Sequence, residues 1–470
     1  MNNSIVPLSG ILADIDSLTL FSRAGKHPVI RSLGKLLRLL ENREASTGNH
    51  GDSSGSRIIL KAWARFAAAL IEEGRNCSLY STVAFLTLSD ENPFTLAAEF
   101  GSLAALHPAL TAAAANDLAR LGRIAVLDTE ALAAAAAALI QPACSAGAME
   151  TEGRSFASPL PRELKEETAL VIFPPGSSWN TLMPAFGKYL SNRGAGELGL
   201  YPSFSWVHPG KLKPVSNPDP VRLSDLSLYS DQREVVVSNT LRFLEGKCTN
   251  NLLLYGDRGT GKSATVKAVC SEYADRGLRL IEIRKDYLDE LPAVLASLGR
   301  RNRKFVIFID DLSFETVDNL FTGLKALLEG GVETRPPNTV IYATSNRRHL
   351  VKERMADRPS SPVPSETAAS AEVRAFDSMQ EQLSLADRFG VTVIYTLPSQ
   401  DEYLKIAEDI ACRRGILSDA GDTPFAEREE RLKLFRENAI RWERWFNGRS
   451  PRTAAQYVDW LAGGEGFPWD

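Results

Sequence analysis

The chain has 470 residues, of which 44% are hydrophobic and 24% charged, with a formal net charge of −4. These proportions belong to a globular protein long enough for two or three domains, and the mild acidity supplies no global field for nucleic acid. No apolar run is long enough to span a bilayer, and the opening MNNSIVPLSGILADIDSL lacks a basic region followed by an apolar block, so a cytoplasmic protein without membrane contact is expected.

Five cysteines, Cys77, Cys144, Cys248, Cys270 and Cys412, lie far apart, without a CxxC pair or a nearby histidine. Reduced structural thiols are expected from that spacing, not a zinc site.

Residues 1–200 read as an all-α domain. Leucine and alanine recur at helical spacing in VIRSLGKLLRLLENRE and RIILKAWARFAAALIEEG, and an alanine-rich stretch runs from Thr111 to Ile140. Between the first two, the polar segment ENREASTGNHGDSSGSR reads as a mobile loop. No motif in this half carries chemistry, and binding an unidentified partner is the role such a domain offers.

From Tyr201 to Arg222 the composition turns Pro- and Ser-rich, which reads as a linker over 201–222. In residues 223–399 the short runs NLLLYG, GLRLIEIR, KFVIFIDD, NTVIYATS and VTVIYTL alternate with helical patterns, predicting a parallel sheet between helices. The basic stretch LGRRNRKF, Leu298 to Phe305, is a candidate nucleic-acid patch, but a solvated turn before a buried strand is the favoured reading. Ala356 to Arg374 interrupts this region and reads as a mobile or disordered loop. Residues 400–470 are helical again: Leu404, Ile406, Ala407, Ile410 and Ala411 share one helix face, and SPRTAAQYVDWL forms another helix.

The most informative stretch is LLLYGDRGTGKSATVKAVC. Gly256, Gly259, Gly261, Lys262 and Ser263 satisfy G-x-x-x-x-G-K-[ST], after a predicted strand over Asn251–Tyr255 and at the start of a predicted helix over Ser263–Tyr273. Backbone N–H groups along Gly256, Asp257, Arg258, Gly259, Thr260, Gly261, Lys262, Ser263 and Ala264 would cradle the phosphates of ATP or ADP at the positive end of that helix. Lys262 adds charge for the β- and γ-phosphates, and Ser263 a hydroxyl for Mg²⁺.

The strand Phe305–Ile309 ends in Asp310 and Asp311, at the edge where ligands bind in open α/β sheets. Asp310 is the candidate metal-side carboxylate. Asp311 is the candidate that orients the attacking water, with Glu315 as the weaker alternative. Asn346, at the end of a third strand, could reach a γ-phosphate or that water, against the plainer reading of a turn-forming asparagine.

This order of motifs resembles the AAA+ superfamily of P-loop ATPases over roughly Leu223 to Trp469. The strings LLLYGDRGTGKSATVKA, IFIDDLSFE, LKALLEGGVETRPPNTVIYATSNRRHLV and LSLADRFG are similar to the domain-of-unknown-function (DUF) 815 family of predicted bacterial ATPases. The resemblance implies an α/β AAA+ core over 223–399 with a helical lid over 400–470, Asn346 as first sensor, and Arg388 as an arginine finger that reaches an adjacent subunit. A homo-oligomer follows if Arg388 works in trans, whereas a salt bridge with Asp387 or a nearby acid is the structural alternative. Arg452 resembles the second sensor, with Ser450 as N-cap and Pro451 in the first turn, and Arg449 is the competing choice. The stretch VRLSDLSLYSDQREVVVSNTLRFLEG resembles the adenine-contacting segment.

One departure stands out: Asp310-Asp311 replaces the Asp-Glu of many relatives, and the shorter second side chain implies slow turnover. The expected activity is Mg²⁺-dependent ATP hydrolysis that moves the lid and alters the grip on a macromolecular partner. A slow or non-hydrolysing switch, a helicase-loader-like nucleic-acid ATPase and a P-loop kinase are the alternatives.

Overall fold

A computed structural model describes residues 8–45, 53–74, 77–101, 103–139, 164–312, 335–346, 388–417, 425–446 and 448–464. The chain divides into two compact units, Met1–Leu200 and Tyr201–Asp470.

The first unit is helical throughout its described residues. Long helices over Pro28–Ala45, Ser53–Glu73 and Pro108–Ala125 turn apolar stripes onto a core that includes Leu33, Leu37, Phe66, Phe94, Leu118 and Trp179. Each such side chain contributes roughly 1.5–3 kcal/mol by leaving water. The alanine-rich stretch is two helices: the first ends at Ala125, and Asp128 caps the second by accepting from the Glu130 and Ala131 N–H groups at 2.9 and 3.0 Å.

The segment read as a loop between Glu41 and Arg57 is a correction in part. The helix Pro28–Ala45 extends into it and the helix Ser53–Glu73 begins within it. The flanking leucine and alanine periodicity propagates helix into polar residues, since each added residue closes one more backbone bond. Residues 46–52 lie outside the described residues, as do Cys144, Glu315 and the stretch 356–374.

The second unit is built on seven strands: β1 Ser203–Val207, β2 Lys211–Pro214, β3 Leu252–Gly256, β4 Leu278–Glu282, β5 Lys304–Ile309, β6 Thr339–Asn346 and β7 Val391–Tyr395. Their order is β2-β1-β4-β5-β6-β3-β7. All pairs are parallel except β1 with β2. The five apolar runs found in the sequence are β3 to β7, and β5 and β6 are buried nearly end to end, as a strand covered on both faces must be.

The segment 201–222 is not simply a linker. Its first part is the β1–β2 hairpin, in which Phe204 and Trp206 are buried and alternate with Ser203 and Ser205. The turn is where Pro209 and Gly210 sit, the latter at φ 71°. Composition averaged over the segment hides this period of two.

The basic stretch before β5 supports the turn reading. Arg303 is buried, and Lys304 lies over the Phe243 ring at 4.9 Å.

Helices over Gln400–Arg413, Phe425–Trp445 and Pro451–Gly463 pack around Tyr403, Ile406, Phe435, Trp442 and Tyr457. Ser399 and Glu402 form a capping box, and Ser450 caps the last helix by accepting from Thr453 N–H at 3.1 Å. The architecture is the expected α/β class, a mostly parallel sheet with helices followed by a helical lid, in a chain that begins with an all-α unit. Among the described residues no helix is long and apolar enough to cross a membrane, and Cys77, Cys248, Cys270 and Cys412 are free thiols.

Candidate functional site

Parallel register brings the carboxyl ends of the central strands to one edge: Gly256 of β3 lies beside Asn346 of β6 and Tyr395 of β7. A cleft of about 670 Å³ opens there. Gly256 has φ 144°, and a Cβ on it would stand 1.8 Å from the Tyr395 carbonyl oxygen, so only glycine lets the chain leave β3 this close to β7. The loop then enters the helix Lys262–Glu272 through Gly261, at φ 89°.

Lys262 is 6% exposed, and its Nζ donates to the carbonyl oxygens of Gly256 and Asp257 at 2.9 and 2.6 Å and to Asn346 Oδ1 at 3.2 Å. Burial pushes this ammonium down to about pH 8, against the pull of Asp257, Asp310 and Asp311. The carbonyls satisfy its hydrogens without neutralising its charge. An anion in the cleft would do both.

Two further bridges complete the constellation. Ser263 Oγ and Thr344 Oγ1 both donate to Asp310 Oδ1 at 2.6 Å, and the Asp311 N–H donates to Thr344 Oγ1 at 2.9 Å. Asn346 Nδ2 donates to the Asp311 carboxylate. Asn346 thus joins Lys262 to Asp311, and Thr344 joins Asp310 to Asp311. Asp311 itself sits at φ 52°, a left-handed conformation that a short polar side chain such as aspartate tolerates better than most.

The lid closes the cleft from the other side. Arg452 N–H donates to Gly259 O at 3.3 Å, and the Ser450 hydroxyl stands 2.9 Å from where a Gly259 Cβ would be. Arg452 lines the cleft. Arg449, the competing residue, does not; it is held by Glu443 at 2.7 Å and Gln400 at 3.4 Å.

Arg388 is not brought to this place. It precedes β7, whose first residue Val391 pairs with Leu252 and whose last pairs with Gly256, so it lies at the opposite edge of the sheet from the glycine loop. Four residues of strand alone span about 13 Å.

Leu226, Ser227, Tyr229, Ile406 and Ile410 also line the cleft and give it an apolar part. Leu228 and Tyr229 are both left-handed, at φ 63° and 58°, and Tyr229 OH donates to Thr396 O at 2.6 Å. The sequence names Ile406 and Ile410 only as one helix face, and it names neither Thr344 nor Leu226, Ser227 and Tyr229 individually. Thr344 had a signal, since it lies two residues before Asn346 in a strand and so shares its face. Leu226, Ser227 and Tyr229 had none beyond the segment's resemblance, because the lid residues that share their cleft come from a distant part of the chain.

Chemically the site offers a helix N-terminus and a buried cation for anionic oxygen, an apolar part for a flat ring, and hard oxygen donors at Ser263 and Asp310 that suit Mg²⁺.

The family model described as "Protein of unknown function (DUF815)" matches residues 200–465. No curated protein matches the sequence. Among solved structures, the Holliday junction branch migration motor RuvB of Thermotoga maritima is similar over 52% of this chain and 72% of that one, at 14% identity and a TM-score of 0.28. A point variant of the same protein covers the same shares at 15% identity and a TM-score of 0.29. At that level the likeness adds nothing to the geometry of the residues themselves.

Proposed function

The chain belongs to the DUF815 family, and from its cleft we propose that it binds ATP with Mg²⁺ and hydrolyses it, coupling turnover to lid movement that acts on a macromolecular partner. The observation that carries this reading is the continuous polar chain from Lys262 through Asn346 to Asp311, lying beside the Ser263–Asp310 pair. In it the glycine loop and Lys262 hold the phosphates, Ser263 and Asp310 hold the metal, and Asp311 takes a proton from the attacking water while Asn346 orients both. Mg²⁺, when bound, supplies charge neutralisation on the phosphate oxygens. Arg452 adds a lid-borne cation. Arg388, at the far edge of the sheet, serves a neighbouring copy in a homo-oligomer, and residues 1–200 form the partner-binding unit.

A second reading, a slow switch, is favoured by one specific contact: the Asp311 carboxylate is already engaged by Asn346, and its side chain is one methylene shorter than glutamate. Steady-state hydrolysis separates the two. The ATPase reading expects turnover that rises in specific activity with protein concentration and falls about 10²-fold or more in Asp311→Asn and Arg388→Ala. Tight ATP binding by a wild type that does not turn over leaves the switch.

A further inference from the structure

The cleft has a second set of contacts, between the lid and the segment Ser224–Tyr229 that borders its apolar part. Arg413 closes the lid helix Gln400–Arg413, and its Nη1 donates to Ser224 O at 3.0 Å while Nη2 donates to Ser227 Oγ at 2.9 Å. Helical spacing of three and four puts Ile406, Ile410 and Arg413 on one stripe. Two members of that stripe line the cleft and the third grips its border.

The other end of the segment is anchored to the core. Arg233 donates to Leu228 O, Tyr229 OH donates to Thr396 O at 2.6 Å, and the Tyr229 ring lies 5.1 Å from that of Tyr395. Its two successive left-handed residues, Leu228 and Tyr229, carry side chains that disfavour that backbone, so this shape persists only because contacts at both ends hold it. On the lid side Arg413 makes two of those contacts, with a planar fork that spans two acceptors in a way a lysine cannot.

We infer that Arg413 is a positioning residue for the nucleotide's base: by clamping Ser224 and Ser227 to the lid it sets the width of the slot between Leu226 and Ile406–Ile410 that holds a purine ring. This rests on the nucleotide reading above and adds to it a division of labour. The phosphates answer to Lys262, and the base answers to Arg413. Lid movement then opens the base slot as well as the phosphate site, because the same helix carries both the apolar wall and the clamp.

The test is calorimetric titration of the full chain, with Mg²⁺, using ATP and inorganic tripolyphosphate as ligands, on wild type, Arg413→Ala, Arg413→Lys and Ser227→Ala. Arg413 is exposed, so truncating it leaves no buried group behind. Loss of its charged hydrogen bonds should weaken ATP about tenfold in Arg413→Ala and less in Ser227→Ala, with Arg413→Lys between them and wild type. Tripolyphosphate, which has no base, should bind all four proteins within about twofold. Unchanged ATP affinity in Arg413→Ala overturns the inference, and so does an equal loss for both ligands, which marks general loosening of the lid. A wild type that binds tripolyphosphate as tightly as ATP removes the base slot while leaving the phosphate site. A wild type that binds neither removes the nucleotide reading and the inference together.

Discussion

The two units bury polar groups for different ends. In the helical unit Asp117 is fully buried, and it accepts from the backbone N–H groups of Thr19, Leu20 and Phe21 at 2.9, 2.7 and 3.2 Å while Arg120 reaches it at 2.9 Å. Asp14 and Arg123 form a two-pronged pair in the same unit. These bonds tie one helix to the start of another. In the second unit Lys262, Asp310, Asp311 and Asn346 are just as well bonded, yet all of them line one cleft. Burial of charge alone therefore does not mark a site. Convergence of bonded polar groups on shared open volume does.

Replacing Asp117 with alanine breaks that contrast hardest. It orphans three N–H groups and one guanidinium, and should destabilise the helical unit by roughly 3–5 kcal/mol, seen as an earlier transition in chemical denaturation, with ATP affinity unchanged. A loss of ATP affinity in this variant would mean that the units are not energetically separate.

A smaller effect sharpens the comparison through pH. Lys262 titrates at about 8, lowered from 10.5 by burial. Between those values the folded chain holds fewer protons than the unfolded chain, so the cost of keeping this charge buried is fully present below pH 8 and is relieved as pH rises through the window. Bound phosphate favours the charged form, so binding takes up a proton above pH 8, and ATP affinity should fall there by up to about tenfold per pH unit. Calorimetry in buffers of different ionisation enthalpy reads that proton directly. A flat profile from pH 7 to 10 would place the charge outside the binding equilibrium.

Much of this site was legible in the sequence because its parts are local. The glycine loop is one contiguous string, and Asp310, Asp311 and Asn346 each follow an apolar run long enough to mark a strand end. The β1–β2 hairpin was hidden because serine and proline dominate the average of a segment whose buried residues are only every second one, Phe204 and Trp206. The base slot was hidden for another reason. Leu226 and Ile406, far apart in the chain, line the same cleft only once the lid folds back over the core, and no local pattern announces a site assembled by the return of the chain. Helical spacing did identify Ile406 and Ile410 as one face, but that signal is the same for a core-facing stripe as for one that lines a cleft.

Lys262 and the glycine loop are the proposed nucleotide phosphate site. The most direct test of that role is titration of Mg-ATP into the full chain and into Lys262→Ala, with thermal unfolding of both proteins measured alongside. A phosphate site there binds one ATP per wild-type chain, loses about 10²-fold or more in affinity in the variant, and leaves an unchanged or raised unfolding temperature without ligand, because a desolvated charge has been removed. Equal ATP affinity in the two proteins would contradict it.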